Sequence, residues 1–336
     1  MTMSQVVFGE KDGMPIYEVT LKSQAGAVAR IMSWGATVRD LIVPSANGPQ
    51  RVVLGFESFE PYLSHASHAG AIAGRVANRI HKGQFTLDGK DYVLPQNEGE
   101  NSLHGGGHGF GKRNWQIAWH DETAVALTLF SPDGDAGFPG NMTVSCVYRL
   151  LEPATLRVEL TAVSDAATLV NLVHHSYFNL DGSADILNHE VMIEADHYVP
   201  VDAHLIPHGE VLTVSGTRYD FRHLKRLCPA GEKPVSYDTT YLLRGEAGTL
   251  RHAARLRSPV NGLQMDTYTT EPALQLYDGA KLNAPVTGHA GKHHHAFAGI
   301  CFEPEACPDA VHHPHFPSTR LDPDRIYRQI TEYRFH

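Results

Sequence analysis

Several protein classes are excluded by what this chain lacks. No apolar run approaches the ~18 residues of a spanning helix, and no block of like charge stands out. No membrane association is expected. Basic residues are outnumbered: 28 Lys and Arg face 37 Asp and Glu, a formal net charge of −9. Phosphate backbones bind basic faces, so no nucleic-acid partner is expected. Cysteine is scarce: Cys146, Cys228, Cys301 and Cys307 show no CxxC pair and read as reduced cytosolic thiols. Met1-Thr2-Met3-Ser4-Gln5 lacks the basic start and apolar core of a secretory signal, which makes the expected compartment the cytoplasm. Fixed-period repeats, low-complexity tracts and linkers rich in Pro, Gly or Ser are also missing. Helical periodicity is hard to find, and only Phe59 to Ala66 has room for one or two turns.

Short alternating runs and turn signals recur throughout. Val6 to Phe8 and Ile16 to Leu21 flank Lys11-Asp12-Gly13, and Phe85 to Leu87 and Tyr92 to Leu94 flank Asp88-Gly89; both read as hairpins. Val144, Cys146, Tyr148 and Leu150 alternate with polar residues, as do Leu156, Val158 and Leu160. That is the period of half-buried strands. Many short strands with frequent turns make an all-β sandwich or barrel. With no linker to divide it, residues 1–336 are expected to form a single domain.

Familiar catalytic signatures are absent as well. His104-Gly105-Gly106-Gly107 looks like an oxyanion loop, but the G-x-S-x-G elbow it would serve does not occur. Nothing matches a Walker A loop or a dinucleotide fingerprint. The runs Lys292-His293-His294-His295 and His312-His313-Pro314-His315 lack zinc-site spacing and read as solvated surface, so no metal is expected. What remains is polar residues set among apolar ones. Within Asn171 to Leu180, His174 and His175 are neighbours in a strand-like run and must point to opposite faces. Glu303 follows five small or apolar residues, a rare setting for an unpaired carboxylate. Asn78, Arg79, His104, Asp238 and Gln275 sit in similar contexts. Such donors and acceptors, with aromatics, are what a neutral sugar's hydroxyls and C–H faces require.

At these same residues the sequence resembles the aldose 1-epimerases, or galactose mutarotases. The resemblance spans nearly the whole chain. It is carried by Gly74 to Ile80 (GRVANRI), Asn101 to Gly106 (NSLHGG), Gly137 to Asn141, His174 to Leu180 (HHSYFNL), Val199 to Asp202 and Tyr219 to Arg222, then by Tyr237-Asp238, Tyr268 to Gly279 and Pro308 to Ser318. It implies an all-β fold, a large galactose mutarotase-like antiparallel β-sandwich with few short helices and an open sugar cleft, and no cofactor. Carried over position by position, Glu303 is the catalytic base and His175 the catalytic acid. Asn78, Arg79, His104, Asp238 and Gln275 bind the substrate, a small-molecule aldose. The chain departs from the family pattern at His174, usually asparagine, and at Pro304-Glu305, more often Thr-Gln.

The chemistry implied is ring opening and reclosure. A proton leaves the C1 hydroxyl while another reaches the ring oxygen. A carboxylate, ionised at neutral pH by its ordinary pKa of about 4.3, suits the first task. An imidazolium or imidazole N–H suits the second, and Glu303's charge is expected to keep His175 protonated. Three rivals stand beside this reading: a non-catalytic sugar-binding sandwich, a sugar-phosphate mutarotase using Arg75 beside Arg79, and another sugar isomerase of the same fold. Galactose, glucose, xylose and arabinose are all open as substrates. Assembly stays open between monomer and homodimer, and Glu305 is a second candidate base.

Overall fold

The computed structural model describes residues 5–65 and 68–336. Among these the single α-helix is the five-residue Glu60–Ser64, inside the stretch expected to turn; Ala66, the end of that expectation, lies outside the described residues. Both expected hairpins form. Val6–Lys11 pairs with Met14–Lys22, and Gln84–Leu87 with Lys90–Val93. Their two-residue turns are Asp12-Gly13 and Asp88-Gly89, and all four residues have positive φ. Turns of this hand match the twist of the strands they join.

Three large antiparallel sheets organise the chain. One is the five-stranded meander from Val6–Lys11 to Gly48–Arg51. The largest has nine strands, in the order Gln116–His120, Ala124–Ser131, Met142–Leu151, Thr155–Ser164, Tyr327–Phe335, Gln264–Thr269, Arg251–Arg257, Glu190–Ile193 and Lys225–Arg226. The third has five, in the order Leu212–Thr213, Ala195–Val199, Asp238–Leu243, Ala273–Tyr277 and Cys301–Glu305. The inward residues of all three meet in one cluster, including Leu21, Ile31, Tyr148, Leu160, Leu274 and Phe302. The alternation seen at Met142–Leu151 is the alternation of burial along that strand. The result is an antiparallel β-sandwich.

The third sheet positions the chemistry. Thr240 pairs with Gln275, and Gln275 with Glu303. Residues directly opposite in a ladder share a face, as do residues two apart along one strand. Asp238, Gln275, Glu303 and Glu305 therefore lie on the same face. The opposite face carries Tyr241, Leu274, Leu276 and Phe302 into the core. Pro304 is tolerated because Cys301–Glu305 is the edge strand of this sheet, where no ladder donor is missed. Its carbonyl accepts from Gln329 Nε2 at 2.6 Å.

The glycine loop approaches the neighbouring backbone closely. Gly105 has φ +80°, and a Cβ there would lie 1.9 Å from the Gly74 carbonyl oxygen. Gly105→Ala is expected to lower stability by roughly 1–3 kcal/mol from conformation alone, with the clash in addition. It should weaken sugar binding too, since the neighbouring His104 must shift. A melting curve and a binding isotherm both unchanged from wild type would refute this.

Candidate active site

His174 and His175 diverge as strand geometry requires. His174 is buried against Tyr148 and Tyr333, with ring centroids 5.8 and 5.7 Å away. The Tyr148 hydroxyl donates to the Ala36 carbonyl at 2.7 Å, so it accepts from His174 Nδ1 at 3.2 Å. That fixes the Nδ1–H tautomer, and burial pushes the ring's pKa down to about 3. His174 is a core residue.

His175 faces the other way. Its Nε2 lies 3.5 Å from Glu303 Oε2, and its Nδ1 lies 3.5 Å from Cys301 Sγ. Both members of the pair are buried beneath the cleft floor. Burial holds the His175 imidazole down to about 4. It drives the Glu303 carboxyl well above the ordinary range; Glu305 and Asp238 add to this, and Arg79 opposes it. Two expectations are thereby corrected. Glu303 is no ordinary carboxylate at neutral pH, and its charge does not hold His175 protonated. Desolvation of both groups outweighs their attraction, and between the two limits the pair carries one proton in total.

Asn78 and His104 form one wall, and both have positive φ, 57° and 52°. The Asn78 amide N–H donates to His104 Nδ1 at 3.2 Å. The His104 proton therefore sits on Nε2. His104 packs against His68 at 4.7 Å and His175 at 5.3 Å between centroids. Burial is the main cause keeping His68 neutral, with a pKa pushed down to about 3, and holding His104 well below its usual value. Arg79 is clamped by Glu98 through two hydrogen bonds of 2.6 and 2.7 Å. Its burial opposes the charge, but Glu98, Asp238 and Glu305 together outweigh it and raise its pKa. Opposite, Thr240 Oγ1 donates to Gln275 Oε1 and Gln275 Nε2 to Asp238 Oδ1, each at 2.5 Å. Gln275 thus has a fixed amide orientation, and Asp238 keeps acceptor capacity for a hydroxyl.

The cleft so formed has a volume of about 260 Å³. All seven residues picked from the sequence line it: Asn78, Arg79, His104, His175, Asp238, Gln275 and Glu303. The sequence reading did not single out His68, Glu98, Leu103, Tyr177, Tyr277 or Lys281 as cleft residues. Tyr177 and Tyr277 sat within the quoted segments, but nothing marked them as facing a sugar. Glu98 stands in a polar loop, where it looks no different from Glu100. Glu305 does not line the cleft. A larger cavity, about 430 Å³, is bordered by Arg51, Leu54, Asn179 and the 289–295 loop, and gathers no carboxylate.

Two further sequence readings change. Arg75 does not join Arg79. Its guanidinium is buried outside the cleft lining, donating to Ser131 Oγ at 2.9 Å, to the Pro139 carbonyl at 2.8 Å and to the Ser131 and Pro132 carbonyls at 3.0 Å each. The 292–295 run is not all solvated: His294 is buried with its ring 4.7 Å from that of Phe56. Among the described residues, His175, Cys301 and Glu303 are the one grouping of three metal-capable side chains, their atoms within 4.8 Å of one another. It contains the buried His175–Glu303 pair.

An antiparallel β-sandwich with an imidazole–carboxyl pair in a cleft of hydrogen-bond donors and acceptors defines a class: sugar-handling proteins equipped for acid–base work. The chain belongs to the aldose 1-epimerase family, whose model matches residues 17–334. It is 39% identical to the aldose 1-epimerase of Escherichia coli K12 over 96% of each chain. It is 41% identical to the galactose mutarotase of Bos taurus over 91% of this chain and 90% of that one. Among solved structures, an aldose epimerase homologue from C. elegans superposes with a TM-score of 0.90 at 31% identity, covering 95% of this chain and 98% of that one.

Proposed function

We propose that this chain interconverts the α and β anomers of a free aldose such as galactose or glucose. One observation carries the reading: His175 and Glu303 stand 3.5 Å apart in a cleft where Asn78, Arg79, His104, Asp238 and Gln275 are held by hydrogen bonds. The sugar's C1 hydroxyl donates to Glu303, and its ring oxygen accepts from His175. These contacts favour the ionic form of the pair, carboxylate and imidazolium, over the neutral form that burial favours in the empty cleft. Glu303 then takes the hydroxyl proton as His175 protonates the ring oxygen. The ring opens, the aldehyde turns about C1–C2, and closure on the other face reverses both transfers. Acid–base help of this kind contributes on the order of 10²–10⁴ in rate per group. Arg79, His104, Asp238, Gln275 and Asn78 hold the remaining hydroxyls so that both proton paths stay aligned. The chain's own residues supply every proton this scheme moves. We further read it as a cytoplasmic single-domain enzyme, and no helix among the described residues is long and apolar enough to cross a membrane.

The test is polarimetry on freshly dissolved α-galactose and α-glucose across pH. The active pair holds one proton. Activity should fall below about pH 4, where His175 takes up a second. It should also fall at high pH, where Glu303 loses the one the pair needs. Because that carboxyl is raised, the alkaline limb should stand well above the usual carboxylate range. A sugar that binds without any faster anomer exchange would instead favour the non-catalytic sugar-binding reading. The phosphorylated-sugar reading is weaker, because Arg75 is turned away and Arg79 is already paired with Glu98.

A further inference from the structure

Glu305 is fully buried two residues beyond Glu303, on the same face of the edge strand and roughly 7 Å away along it. Its Oε1 accepts from Asn78 Nδ2 at 3.0 Å, and its Oε2 has no partner. Asn78 in turn holds two cleft residues. Its Oδ1 accepts from the Arg79 backbone N–H at 3.0 Å and from Arg79 Nη1 at 3.3 Å, and its own N–H donates to His104. Glu305 thus stands behind the wall that orients Arg79 and His104, and beside the base without touching the sugar.

We propose that Glu305 is a positioning residue with two effects: it anchors Asn78, and its negative charge helps the His175–Glu303 pair keep its single proton as pH rises. This rests on the mutarotase reading. The anchoring is geometric. Asn78 adopts φ +57°, where a non-glycine residue is held only by its surroundings. The electrostatic part follows from like charges sharing a buried face. Once ionised, above about pH 8, Glu305 makes loss of the Glu303 proton harder. Burial puts the pKa of Glu305 itself up at about 8, with Asn78's hydrogen bond opposing. The other groups facing it are Asp238 and Glu271, which raise its pKa, and Arg79, which lowers it. Cys307 and Tyr327 also face it and feel its charge. Of these only Arg79 is cationic, so the site retains a proton to high pH.

Two variants separate the effects. Glu305→Gln keeps an acceptor for Asn78 and removes the charge. Glu305→Leu removes both. Rates of anomer exchange are measured against pH, and binding of 1,5-anhydrogalactitol, which has no anomeric hydroxyl, by calorimetry. For Glu305→Gln the alkaline limb should move to lower pH by about one unit, because Glu303 gives up its proton more readily. The readout is the position of the limb, not its height. For Glu305→Leu, KM and the Kd of the analogue should both rise about tenfold, the size of one lost buried hydrogen bond. An active wild type whose alkaline limb is matched by Glu305→Gln overturns the charge effect. Unchanged analogue binding in a folded Glu305→Leu protein overturns the anchor. A wild type that speeds no anomer exchange overturns the functional reading itself, and this assignment with it.

Discussion

Glu303→Gln is expected to remove nearly all acceleration of anomer exchange, a loss of at least about 10²–10⁴, while the protein folds as before. Glutamine matches glutamate in size, so the buried space stays filled. What it cannot do is accept the C1 proton. Burial raises the Glu303 pKa and so makes the carboxyl costly to ionise. An amide there carries no charge to desolvate, so the variant should melt at or above the wild-type temperature. Lost activity with kept stability is the signature of a working residue rather than a structural one. The measurement is polarimetry alongside a thermal melt. Retained turnover in a folded Glu303→Gln protein would sink the assignment; Glu305 could inherit the role only by entering a cleft that it does not now line. His175→Asn is the companion variant: it should cost turnover more than it costs sugar binding.

The proposed base was legible because a glutamate after five small or apolar residues breaks the pattern of a buried strand. The proposed acid was legible only in part. Alternation separated His174 from His175 but could not say which ring faced the cleft, and the resemblance decided it. The hairpins at Asp12-Gly13 and Asp88-Gly89 were legible because few residue pairs tolerate two positive φ angles in a row. The charge states were not. Reading Glu303 as an ordinary carboxylate used a pKa that belongs to water, and three-dimensional burial changed both members of the pair. Glu98 was illegible for a different reason. Its role is to clamp Arg79 from 19 positions away, and no local pattern records that pairing. Arg75 shows the same limit: its spacing from Arg79 suggested a shared pocket, and only its partners at Ser131, Pro132 and Pro139 reveal a structural task.

That task gives the second large prediction. Arg75→Leu should destabilise the fold by about 3–5 kcal/mol, as when a buried hydrogen-bond network loses its shared donor. Arginine here is an internal bracket. It holds the Ser131-Pro132 and Pro139 backbone segments and also touches Thr168, so three separate stretches depend on one guanidinium. Burial lowers its pKa to about 10, and Asp135 and Asp133 oppose that shift; it still stays charged at physiological pH. Leucine fills part of the space but takes the guanidinium donors from the Ser131, Pro132 and Pro139 carbonyls; Pro132 keeps the Asp135 N–H, and each group left unpaired costs about 1–3 kcal/mol unless water enters. Chemical denaturation of wild type and variant, with soluble yield as a first indication, would measure the loss. A melting temperature within a degree or two of wild type would contradict the bracket. If that stable variant also lost turnover of a phosphorylated sugar while keeping that of the free sugar, Arg75 would belong to a phosphate site after all. Neither Arg75 nor any of its hydrogen-bond partners lines the cleft, so the expected outcome is lost stability with no selective change between the two substrates.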